Sequence, residues 1–121
     1  MMLSKNFSTI EWECRCGCGQ CIVEPALVNM MQSFRDLVKK QVIVHCVNRC
    51  PKHNEEVGGV PGSYHTLGQA CDFHVKGFTI PELHSVALTS EDIFTGGIGI
   101  YDTFVHVDIG SKRQWDNRKH T

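Results

Sequence analysis

The segment Phe104-Val105-His106-Val107-Asp108-Ile109 constrains this chain more than any other. Successive side chains of a strand point to opposite faces. An extended conformation therefore separates Val105, Val107 and Ile109 from Phe104, His106 and Asp108. The valine face belongs in a core. The other face then carries an imidazole and a carboxylate beside an aromatic ring, which suits the wall of a cleft better than open solvent. Ala70–Val75 repeats the arrangement, with Cys71, Phe73 and Val75 on a core face and Asp72 and His74 on the opposite one.

The rest of the chain supplies what would cover such a sheet. Leu27, Met30, Met31, Phe34, Leu37 and Val38 recur at steps of three and four, which predicts a helix over 25–40 with one apolar stripe. Pro25 suits its first position, where the missing N–H would be unpaired anyway. Ser8–Glu11 and Thr79–Glu82 have capping-box spacing, predicting a short helix at 9–13 and a second one reaching about residue 89. Val42–Val47 reads as a buried strand. Residues 48–64 read as a long loop with one turn of helix near Asn54–Val57, and Gly96-Gly97 as a turn. Residues 98–109 read as one long strand or two short ones. This order predicts an α+β fold, a small antiparallel sheet with helices packed on one side.

At 121 residues the chain is the size of one domain, 1–121, with 41% hydrophobic residues. Residues 111–121, with Lys112, Arg113, Arg118 and Lys119, read as a solvated tail. A net charge of −1 argues against nucleic acid as a partner. No apolar run is long enough to span a membrane, and the first residues lack the apolar core of a secretory signal. The expectation is a monomer made in the cytosol.

His65 lies on the glycine-rich stretch leading into Ala70–Val75. If the strands of Asp72 and His106 are neighbours, this loop histidine can complete a three-ligand group. Two imidazoles and a carboxylate with an open fourth position are the ligand set of catalytic zinc. Asp108 would then orient a ligand imidazole.

Ser63-x-His65-x-x-Gly68-x-Ala70-x-Asp72, followed by Gly97-Ile98-Gly99-x-Tyr101 and Phe104-x-His106-x-Asp108, resembles the zinc D-Ala-D-Ala carboxypeptidase and peptidoglycan endopeptidase family. Phe7, Cys16-Gly17-Cys18-Gly19, Asn48-Arg49-Cys50-Pro51 and His53-Asn54 resemble its short, phage-type branch. The resemblance implies a hedgehog-like fold and zinc on His65, Asp72 and His106. It also implies Arg49 aimed at a substrate carbonyl or carboxylate, with Ser63 and Gln69 near the substrate. The implied substrates are peptidoglycan stem peptides, cut by a carboxypeptidase or an L-Ala–D-Glu type endopeptidase. A phage lysis protein, released to the cell wall at lysis, is the implied setting.

One departure stands out. Many family members place an acid three positions before the second histidine, where this chain has Thr103. Asp102 is the nearest acid, but on a straight strand it lies about 13 Å from His106. It can serve as the general base only if the strand bulges or turns, and His74 is the alternative base. The departure leaves open a second reading, an inactive zinc-containing module that binds peptidoglycan or a protein.

Four of the seven cysteines fall in Cys14-Arg15-Cys16-Gly17-Cys18-Gly19-Gln20-Cys21. Cys14, Cys16, Cys18 and Cys21, with Cys46 or Cys50, read either as ligands of a structural zinc or as buried thiols and disulfides. The tight spacing favours the second reading.

Overall fold

The structure, a computed structural model, describes residues 1–119. Helix α1 is Thr9–Trp12, and Glu11 accepts the Ser8 N–H at 3.0 Å. Helix α2 runs Pro25–Val38 and buries Leu27, Val28, Met30, Met31 and Phe34. It stops short of residue 40 because Lys39 turns left-handed, with φ 54° and its N–H on the Arg35 carbonyl. Leu37, assigned to the stripe by its spacing, is exposed.

Strand β1 is Val42–Cys46. Helix α3, Pro51–Glu56, starts earlier than the sequence suggested because Cys50 caps it, its sulphur accepting the His53 N–H. A 3-10 turn follows at Tyr64–Leu67, then β2 at Ala70–Val75. Helix α4 is Ile80–Thr89, capped reciprocally by Thr79 and Glu82. Strands β3 (Gly97–Ile100), β4 (Val105–Asp108) and β5 (Arg113–Asp116) complete the sheet.

The sheet order is β1-β2-β4-β3-β5. The pairs β1–β2, β2–β4 and β4–β3 are antiparallel, whereas β5 lies parallel to β3. This strand corrects two expectations. The sheet is mixed rather than wholly antiparallel, and residues 113–116 are no solvated tail. Arg113 and Trp115 are half-buried while Gln114 and Asp116 are exposed, the alternation of a strand with one covered face. Residues 120 and 121 lie outside the described residues.

The core forms on one face. Register places Phe73 opposite Val44 and Val105, and Val107 opposite Cys71 and Ile98. Helix α2 presses Phe34 onto this surface, its ring 5.8 Å from Phe73 and 4.7 Å from Phe94. Full burial of such a ring contributes about 1.5–3 kcal/mol. Filling this face commits the opposite one to polar chemistry.

A bulge in β1 adjusts that second face. Val44 pairs with Phe73 and Cys46 with Asp72, leaving His45 as the extra residue. The extra residue turns Cys46 toward the Asp72 face, as bulges beside functional sites do.

Gly99 lies in register with both His106 and Trp115. A Cβ there would overlap the indole ring of Trp115, so the glycine is required for β5 to dock. Gly99→Ala is expected to destabilise the fold by about 1–3 kcal/mol through overpacking, read as a lower urea midpoint. A midpoint unchanged within error would mean that the indole does not lie over residue 99.

Candidate active site

The polar face organises along one rung of the sheet. Cys46, Asp72, His106, Gly99 and Trp115 stand in register across all five strands. Ala70 opposite Asp108 and Gly97 opposite Arg113 form the next rung.

His65 enters from the 3-10 turn. The Ser63 hydroxyl accepts the His65 N–H at 3.2 Å, and Gly68 ends the turn at a left-handed φ of 68°. Asn48, fully buried, donates to the His65 carbonyl at 3.1 Å and accepts from Gln20 and the Ile22 N–H. One amide side chain thus ties the cysteine-rich loop to the histidine turn.

The imidazoles converge on Asp72. His65 Nε2 lies 3.2 Å from Asp72 Oδ2, and His106 Nδ1 lies 2.8 Å from Oδ1. Their other ring nitrogens are held from behind. His65 Nδ1 donates to the Val47 carbonyl at 3.0 Å, and His106 Nε2 lies 2.8 Å from Asp108 Oδ2. Asp108 in turn accepts from the Gly97 and Gly110 N–H groups and from both terminal nitrogens of Arg113. Its side chain is 0% exposed, so five bonds saturate a carboxylate that no water reaches. Arg113 is itself sandwiched, 5.0 Å from the Tyr64 ring centre and 5.1 Å from that of Trp115.

Burial disfavours charge on all four ligand-side groups, and the mutual hydrogen bonds outweigh it. The bonds from His106 and His65 hold Asp72 at about 2 despite its burial. Those to Asp72 and Cys46 lift His65 to about 10. His106 is raised by Asp108 and Asp72. Asp108 is held well below the carboxylate range by His106, Arg113 and two backbone N–H groups. Opposed shifts of this kind arise at functional clusters and in structural ion-pair networks alike.

A cleft of about 730 Å³ opens over these residues, with Arg49, Ser63, Tyr64, Tyr101, Phe104 and Trp115 among its lining. Among the described residues, no hydrogen bond or ion pair engages the Arg49 guanidinium. Tyr101 stacks on Phe104 at 4.5 Å and accepts the Trp115 indole N–H at 3.0 Å. These rings form an aromatic wall.

The structure therefore brings together His65, Asp72, His106, Asp108, Arg49 and Ser63. It does not bring Asp102 there. Residues 101–104 close the β3–β4 hairpin, with the Tyr101 N–H on the Phe104 carbonyl. Asp102 is exposed at that tip, where its carboxylate accepts the Lys119 N–H. No bulge folds it back. Gln69 is half-buried before β2 and outside the cleft lining. His74 pairs with His45 through ring nitrogens 2.5 Å apart, also outside the lining.

The sequence grouped Cys46 with the other cysteines and Arg113 with a solvated tail, and Trp115 went unremarked. Cys46 Sγ lies 3.7 Å from His65 Nδ1, and Cys46, His65 and Asp72 have ligand atoms within 4.8 Å of one another. Only the β1 bulge exposes it, and nothing in Val-Ile-Val-His-Cys signals a bulge. Arg113-x-Trp115 did carry a signal, its two-residue alternation.

The comparisons with known proteins agree with this geometry. A family model described as Peptidase M15 matches residues 5–108. The chain belongs to the peptidase M15 family. Within that match fall His65, Asp72, His106 and Asp108, whereas β5 lies beyond it. The peptidoglycan L,D-endopeptidase MepK of Escherichia coli (strain K12) is 31% identical over 102 residues, covering 77% of this chain and 54% of that protein. The probable peptidoglycan L,D-endopeptidase MepK of Haemophilus influenzae is 36% identical over 66 residues, 53% of this chain and 34% of that protein. The M15 chain thus spans about half the length, or less, of these curated relatives.

Proposed function

We propose that this chain is a zinc-dependent endopeptidase that cuts a bond between L- and D-configured residues in peptidoglycan stem peptides. The observation that carries the reading is the Asp72 carboxylate gripped by His65 and His106 in a cleft that Arg49 also lines. The MepK relatives, named as L,D-endopeptidases, favour an endopeptidase over a carboxypeptidase.

The donor set fits zinc. Two imidazoles converge on one carboxylate, and each imidazole is fixed through its second nitrogen, as metal-bound histidines usually are. His65, Asp72 and His106 would hold the ion, with Cys46 beside them. When bound, zinc supplies a Lewis acid for the scissile carbonyl. The chain's own groups do the rest. Arg49 offers two parallel N–H bonds to an anionic oxygen, either a stem-peptide carboxylate or the oxyanion that develops during cleavage. Asp108, clamped by Arg113, keeps His106 in one orientation. The aromatic wall takes the apolar parts of the substrate and narrows the water-accessible space.

A second reading, a non-hydrolytic peptidoglycan-binding module, is favoured by one observation. Among the described residues, Asp72 is the only carboxylate lining the cleft, and the exposed Thr103 stands where an acid would receive a proton. Incubation with purified peptidoglycan separates the two readings. Hydrolysis is expected, with fragment pairs that together gain one water, and a zinc chelator should stop it. Sedimentation with peptidoglycan without any cleavage would favour the module.

Asp102→Asn makes the same assay informative about the base. Loss of a working general base costs on the order of 10²–10⁴-fold. The hairpin position of Asp102 predicts turnover within about threefold of wild type, far short of that penalty. A hundredfold loss would place Asp102 in the chemistry after all.

A further inference from the structure

Four cysteine sulphurs meet away from the cleft. The ligand atoms of Cys14, Cys16, Cys18 and Cys50 all lie within 4.8 Å of one another. Cys14 Sγ is 3.4 Å from Cys16 Sγ, and Cys16 Sγ is 3.7 Å from Cys50 Sγ. All four are free thiols. A disulfide needs its sulphurs about 2.05 Å apart. Four sulphurs around one zinc, at about 2.3 Å each, lie on a tetrahedron whose edge is about 3.8 Å. The Cys14–Cys16 and Cys16–Cys50 spacings, 3.4 and 3.7 Å, lie close to that edge.

The membership differs from the one the sequence suggested. Cys21 turns away, half-buried against the Thr9 carbonyl at 3.8 Å. Its place is taken by Cys50, 36 residues beyond Cys14. Cys14, Cys16 and Cys18 keep their tight spacing, and the fourth sulphur comes from a separate segment. Gly17, with φ 86°, lets the loop reverse between Cys16 and Cys18. Two backbone amides point at the sulphurs, the Cys50 N–H at Cys14 and the His53 N–H at Cys50. Such bonds favour thiolate over thiol. Lys52 and Glu56 both border the same hollow, so the positive charge beside it is offset by a carboxylate.

We propose that Cys14, Cys16, Cys18 and Cys50 bind a structural zinc ion as a tetrathiolate, independently of the His65–Asp72–His106 site. The thiol protons leave to solvent as the ion binds. All four positions are taken by protein, so the site is closed and has no place for substrate. Its effect is positional. It pins the 14–18 loop to the cap of α3, next to Arg49, and so fixes one wall of the cleft.

The test uses the full chain purified under reducing conditions, with Co²⁺ and Zn²⁺ as probes. Co²⁺ is expected to give the sulphur-to-cobalt charge-transfer band and strong visible bands of a tetrahedral thiolate site. The spectrum should persist in His106→Ala and be lost or strongly reduced in Cys18→Ser. Cys18 is exposed, so its replacement leaves the core untouched, and circular dichroism checks the fold. Zinc content should fall by one equivalent in each single variant and by two in the double variant. Cys21→Ser should change neither the spectrum nor the zinc content. Zinc at roughly a thousandfold above Kd should raise Tm by about 10 °C or more in His106→Ala. A charge-transfer band that survives Cys18→Ser in a Cys46→Ser background, which removes the cleft thiol, or zinc content unaffected by Cys18→Ser, would overturn the proposal. So would four thiols that remain freely titratable in excess zinc.

Discussion

His106→Ala is expected to lower peptidoglycan hydrolysis by about 10³-fold or more, to remove one zinc per chain, and to lower Tm as well, because the buried Asp72 and Asp108 each lose a hydrogen bond. The imidazole is the hub of the polar face. It meets Asp72 through one nitrogen and Asp108 through the other, so its loss removes a ligand and disconnects the carboxylate behind it. Full zinc retention at normal affinity would show that Cys46, not His106, completes the set with His65 and Asp72. The same titration has a pH signature. His65 in the metal-free chain carries its proton up to about 10, and an incoming ion must displace it. Zinc affinity should therefore rise with pH toward that value, by about tenfold per unit for each proton displaced. An affinity flat from pH 7 to 9 would mean that the ion displaces no proton from His65 in that range.

Arg113→Ala carries the largest expected stability cost, about 2–4 kcal/mol. Its guanidinium forms two bonds to Asp108, whose side chain is fully buried. Breaking a buried pair by removing one partner leaves a charge without compensation, a penalty of about 3–5 kcal/mol when both ends are dry. Arg113 is 36% exposed, so water entering from its side offsets part of that cost. Urea denaturation measures it. Arg113→Lys should recover only a fraction, since an ammonium cannot make the two parallel bonds of the fork. Zinc affinity should fall as well, because Asp108 would no longer hold His106 firmly. Near wild-type stability in Arg113→Ala would mean that Asp108 is adequately satisfied by His106 and the two glycine amides.

The elements legible in the sequence are those with a local cause. The α4 box of Thr79 and Glu82 and the alternation in β2 and β4 depend on residues a few positions apart. His65, Asp72 and His106 were legible because a strand pattern carried two of them and a motif the third. What could not be read depends on distant partners. Gly99 is needed only because Trp115 crosses it. Cys46 faces Asp72 only because of the bulge at His45. Arg113 resembles any exposed basic residue until Asp108 stands opposite. The pairing of Cys50 with the cysteine loop spans 36 residues, and no spacing within Cys14–Cys21 announces it.

The rung that joins Cys46, Asp72, His106, Gly99 and Trp115 has a consequence for how the protein comes into being. Its members run from Cys46 to Trp115, and apart from the hairpin pair Gly99–His106 each neighbouring pair must close a longer loop before it gains anything. Topologies built from such distant pairings fold slowly. A nascent chain emerging from the ribosome holds the rung only in part until β5 has emerged, and the polar cluster around Asp72 arises with the completed sheet rather than before it.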